Sequence, residues 1–182
     1  RPDFADALFQ RSVAKLFLGR DKASVVVDLD KAISLKPDDG DFYFFRAVLH
    51  WGDRDSEAAL SAVDLAEKNG RTQLDIANLR ALVKAISGDV EGALVHAEIA
   101  VNLSTSRWDT LDTRGFVKLL SDDLTGALAD YKAALEQMPG LIFARLGMGI
   151  ANWRQGRRDE TRPALIELLK ESQRDPLFEG TI

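Results

Sequence analysis

The sequence has no cysteine, only two histidines and no run of basic residues. Without cysteine there is no disulfide framework and no thiolate metal site. The histidines, His50 and His96, do not form a pair at metal-ligand spacing, and neither HExxH nor CxxC occurs. A GxxxxGK phosphate loop is also missing, so neither a metal nor a cofactor is expected. Lysine and arginine total 24 against 29 acids, a formal net charge of -5 with a pI near 5.1. That balance argues against general nucleic-acid binding, which needs a basic stripe. No apolar stretch approaches the roughly 18 residues that would span a bilayer. No secretory signal opens the chain, but it begins at Arg1 and reads as a piece of a longer protein. The absent signal therefore leaves the compartment open, with the cytoplasm favoured.

With 46% hydrophobic and 29% charged residues, the composition suits one ordered domain. Its pattern is a period. Residues 108–139 read as two short helices and a tight turn, closed by Pro139. Stepping from Gly115 by 34 lands on Ala81, Ala47 and Val13, and forward on Gly149. Three more columns keep the same step: Val25, Ala59, Ala93, Ala127 and Thr161; Leu29, Val63, Ala97, Tyr131 and Leu165; Ala32, Ala66, Ala100, Ala134 and Leu168. Small residues in register predict helices that close to about 8–10 Å. Asp21, Asp55, Asp89 and Asp123 precede each second helix except the last and predict N-caps; Asp159 is the expected substitute there. Pro163 is expected near the start of that last helix, where a missing N–H costs little. Arg46, Arg80 and Arg114 form another column, expected to pair internally with an acid such as Asp28 or Asp130.

The helix–turn–helix unit of about 34 residues, with these small positions and a terminal proline, resembles the tetratricopeptide repeat. The resemblance implies an all-α fold, a right-handed α-solenoid of antiparallel helix pairs. It would form one array over residues 3–174, with repeats at about 3–37, 38–71, 72–105, 106–139 and 140–173, and a tail at 175–182. In such arrays the first helix of each pair lines a concave groove. Carried over by position, that stripe is Asp41, Phe44, Val48 and Trp51; Asp75 and Asn78 with Leu82 and Ala85; Asp109, Asp112, Phe116 and Leu119; and Phe143, Leu146, Ile150 and Trp153. Repeat one contributes Ala7, Gln10, Ala14 and Phe17. The steps of three and four residues keep each set on one helix face.

An apolar groove edged by Asp41, Asp75 and Asp109 would suit a protein or peptide with basic and apolar side chains. A second reading stands beside it. The acids also stabilise helix starts without any ligand, and the aromatics also pack between repeats. The Lys, Asn and Arg set with which some members of this family hold chaperone tails is missing; Asn78 is the one suitable polar match. No catalytic constellation is present, and His50 and His96 are read as packing or surface residues. The expected function is a non-catalytic protein–protein interaction scaffold within a larger bacterial protein. The alternative is structural self-association, including a homodimer through the C-terminal helix, where Leu165, Ile166, Leu168 and Leu169 widen an apolar face. Leu177 and Phe178 of the tail are a further candidate cover for that face.

Overall fold

The computed structural model describes residues 2–172, and all the secondary structure described there is helical. The helices come in pairs: α1 (Pro2–Phe17) with α2 (Lys22–Leu35), α3 (Gly40–Gly52) with α4 (Ser56–Lys68), and α5 (Gln73–Ile86) with α6 (Val90–Ser104). They are followed by α7 (Trp108–Leu120) with α8 (Leu124–Gln137) and α9 (Ile142–Arg154) with α10 (Arg158–Ser172). Leu177 and Phe178 lie outside the described residues.

Local chemistry sets the hairpins. Asp21, Asp55, Asp89 and Asp123 each cap a second helix, accepting from the backbone N–H of Ser24, Ala58, Gly92 and Gly126. Each bond satisfies one of the N–H groups that a helix start leaves without a partner. The residue before three of these caps is left-handed: Arg54 (φ 60), Gly88 (φ 89) and Asp122 (φ 66). Gly156 (φ 92) holds the same place in the last hairpin. α10 differs from expectation, because it begins at Arg158. Asp159 therefore lies within its first turn rather than capping it, and Pro163 lies in the helix interior.

The chain divides into two compact units, one reaching Thr72 and the other spanning Gln73–Ser172. In the first, Ala5, Leu8, Val25, Leu29, Ala32, Phe42 and Leu49 form the core, with Phe9 packed against Phe42 and Phe45. In the second, α7 packs on α5, α6, α8 and α9. The periodic columns are the interior: Ala47, Ala59, Ala66, Ala81, Ala93, Ala100, Ala127 and Ala134 are all fully buried. Tyr131 is the bulky exception, and two glycines make room for it. A Cβ on Gly115 would stand 3.0 Å from its ring, and one on Gly147 would overlap the ring tip and hydroxyl. Gly115 thus accommodates a tyrosine ring rather than a helix backbone.

Two buried acids cross-link hairpins from within. Asp28 accepts from Arg11 and Lys15, and Asp130 accepts from Arg114 and Lys118. Arg114 thus pairs as its column predicts. Arg46 pairs instead with Asp30 of α2, since the place 16 residues on, where Arg114 finds Asp130, is Ala62 in its own hairpin.

Candidate functional site

In the first unit the stripe on α3 starts at a point of very close approach. A Cβ on Gly40 would lie 2.8 Å from the Ala66 carbonyl oxygen and 2.7 Å from that of Asn69, so only glycine fits. The closeness brings Arg71, just past α4, over the first turn of α3. Its guanidinium donates to Asp41 at 2.5 Å and lies 4.3 Å from the centre of the Phe44 ring. Asp41 and Phe44 are therefore joined by one cation. A polar cleft of about 290 Å³ beside them is lined by Lys36, Asp39, Asp41, Asn69 and Arg71, among others. Further along α3, Val48 and Trp51 are half-buried, and the Trp51 indole N–H is buried without a hydrogen-bond partner.

In the second unit Asp75 and Asn78 are half-buried on α5, and the Asn78 side-chain oxygen is buried without a donor. On α7, Arg107 grips Asp109 with two bonds of 2.6 Å. Arg107 also lies in the field of Asp75. Asp112, one turn on, is half-buried with no ion pair to a described residue. Burial, with a smaller push from Asp109, raises its pKa to about 6. Phe116 packs against the cluster of Ala81, Ala85, Ala93, Ala97 and Val117. On α9, Trp153 is half-buried with Arg158 at 5.9 Å from its ring, beside an open groove of about 450 Å³ lined by Ile150, Arg162, Leu165 and Ile166.

Each unit thus joins some of the stripe residues. Asp41 and Phe44 meet through Arg71 in the first unit. Asp109 and Asp112 share α7 in the second. Arg71 and Arg107 are the participants that pattern reading missed. Arg107 stands two residues before Asp109, a weak signal; Arg71 stands 30 residues from Asp41, and nothing local links the two. Among the described residues no group of histidine, aspartate and glutamate is placed to hold a metal ion, and no helix is long and apolar enough to cross a membrane. What the stripes present is partly open apolar side chains with carboxylates between them.

No protein-family model and no curated protein matches the chain. Solved structures do. MamA 41-end from Desulfovibrio magneticus RS-1 aligns with a TM-score of 0.66 at 15% identity, over 95% of this chain and 98% of that one. A tetratricopeptide repeat protein from Parabacteroides merdae ATCC 43184 aligns with a TM-score of 0.62 at 22% identity, over 98% of this chain and 71% of that one. YrrB, described as a TPR protein with an unusual peptide-binding site, aligns with a TM-score of 0.59 at 20% identity, over 96% of this chain and 86% of that one. Likeness at these identities speaks for the fold.

Proposed function

Having the tetratricopeptide-repeat fold, this chain is, we propose, a non-catalytic protein-binding scaffold whose first-helix stripes take a peptide or protein segment. One observation carries the reading. The alanines of the small-residue columns are fully buried, yet the stripes keep large apolar groups partly open: Phe116, Trp51 and Trp153 are half-buried, and Ile150 is 44% exposed. Partly open aromatics are typical anchors for a partner. Carboxylates at Asp41, Asp75, Asp109 and Asp112 favour a partner with basic as well as apolar side chains. The peptide-binding site ascribed to YrrB gives the reading a precedent on this fold.

The test is capture of a partner from the source cell by the full chain, followed by affinity measurement on the purified pair. Charge reversal at Asp75 and Asp109 together is expected to weaken binding at least about tenfold, the size of one lost charge-assisted contact. Unchanged affinity removes the basic partner. A partner that also ignores Phe116→Ala and Trp153→Ala removes the stripes as its site.

A second reading rests on α9 and α10. Ile150 (44% exposed) and Ile166 (46% exposed) flank an open groove at the end of the second unit, which suits a homodimer through the C-terminal helix. Light scattering over a wide concentration range checks it: dimer for the native chain, monomer for Ile166→Glu. A native chain that stays monomeric throughout removes this reading.

A further inference from the structure

We infer that the outer face of α6 docks an amphipathic helix of a partner protein, which lays an apolar stripe along Val95, Ile99 and Leu103 and sets lysines or arginines against Glu91 and Glu98. This surface lies on a second helix of the second unit, apart from the first-helix stripes. The inference stands independently of the reading given to those stripes.

α6 is apolar on two faces. Its inner face, Ala93, Ala97, Ala100 and Val101, is buried. On the other side Val95, Ile99 and Leu103 follow one another at steps of four and are 57%, 42% and 52% exposed. That spacing sets them in one row along the helix. The repeat does not require such a row. The same three places hold Ala129, Ala133 and Gln137 on α8, and Pro163, Glu167 and Glu171 on α10. They hold Ser61, Leu65 and Asn69 in the α4 repeat, and Val27, Lys31 and Leu35 on α2, so α6 alone is large and apolar in all three. Helix propensity does not ask for the row either, since valine and isoleucine form helix less readily than glutamine or lysine. Single exposed apolar side chains need no explanation, but three in a row form a continuous surface suited to contact.

Charge selects the occupant. α6 contains no lysine or arginine, and its exposed charged residues, Glu91 and Glu98, stand two turns apart on one edge of the row. Neither makes an ion pair with a described residue. Arg114 lies in the field of Glu98 but is held by Asp130. A basic edge on the partner therefore meets two open carboxylates. A second copy fits less well: an antiparallel pair of α6 rows sets the acidic edge against itself, and each chain carries a net charge of -5. The main chain of α6 is bonded within its own helix, so an extended strand has no edge to join. A helix with apolar residues at i, i+4 and i+7 can lay that ridge beside the row, with its basic residues over the acidic edge.

Three capped, alanine-based helical peptides of about 18 residues, titrated into the full chain and followed by backbone amide NMR, test the face. The first has leucines at i, i+4 and i+7 with lysines along one edge. The second has glutamates in place of the lysines, and the third has the composition of the first with its leucines spread around the helix. The first should give saturable shifts at Val95, Ile99 and Leu103, and the other two should bind at least about fivefold more weakly. Ile99→Gln should lower affinity for the first about tenfold and leave the melting temperature unchanged, because the side chain is open in the free chain. Glu91→Gln with Glu98→Gln should bring the lysine and glutamate peptides within about twofold of each other. Equal binding of the three peptides, no shift on α6, or full affinity in Ile99→Gln overturns the docking face. So does a large fall in melting temperature in Ile99→Gln, which would make Ile99 part of the packing. A chain that dimerises by light scattering and turns monomeric in Ile99→Gln gives the face to a second copy and overturns the partner helix. A peptide lost in Phe116→Ala and Trp153→Ala yet kept in Ile99→Gln sits on the first-helix stripes, so this face fails and the scaffold stands. If the lysine peptide binds on α6 and no partner depends on the stripes, the reverse holds.

Discussion

At Asp112, ionisation opposes folding. Its pKa of about 6 in the folded chain lies above the roughly 3.9 of an unfolded aspartate. Between those values the folded state binds more protons than the unfolded one, so this group makes stability fall as pH rises from about 4 to about 6. Asp112→Asn is therefore expected to raise the melting temperature at pH 7 and to change little at pH 4. Melts from pH 4 to 8 check this, and a difference independent of pH would count against a raised pKa. Asp28 acts in the other direction. Arg11, with Lys15, holds its carboxyl well below the usual range, so its contribution is present above about pH 4 and is lost as pH falls further. Asp130 shows what a buried partner is worth. Asp130→Ala leaves Arg114 and Lys118 facing each other without an anion and should cost about 2–3 kcal/mol in denaturant unfolding. Arg54, left-handed and exposed, predicts a gain: Arg54→Gly should stabilise by about 0.5–1 kcal/mol.

The hairpin is the working element, and its parts differ in how far they could be read from residue order. The caps are local. An aspartate bonds an N–H three residues on, so Asp55, Asp89 and Asp123 were visible as caps from spacing alone. Asp55→Ala should cost about 1 kcal/mol, measurable as a shift in denaturation midpoint without a change of slope. The interior columns were equally legible, because a helix face and a fixed repeat length decide them. The function of the glycines was not. Gly147 looks like any small packing residue until the Tyr131 ring is found against it. Gly147→Ala must displace a tyrosine that is 2% exposed, and a loss of about 1–3 kcal/mol is expected. Tyr131→Leu should restore much of it by vacating the slot, and a double-mutant cycle between the two positions would read that coupling. α10 marks the limit of pattern reading: it keeps the common step of 34 and starts at Arg158 with Arg157 in the place of the capping aspartate, so Asp159 does not substitute as the cap and Pro163 falls inside the helix.

For the whole molecule, net charge of -5 has a consequence that no single contact sets. If the partner is basic, long-range attraction should speed its association, and the association rate should fall severalfold between low and high salt while dissociation changes much less. A salt-independent association rate would point to an uncharged partner. Residue order alone settled which stretches are helices, how they pair, and which faces lie inside, since each depends on neighbours within a turn or on a step that repeats unchanged. Beyond the Arg114–Asp130 pair, tertiary structure decided where the charges meet. Arg71 reaches Asp41 from the end of another helix, Arg46 takes Asp30 rather than Asp28, and Asp112 is left without a cation. Those outcomes turn on which long side chains from different helices arrive within bonding distance, and helical periodicity carries no record of that.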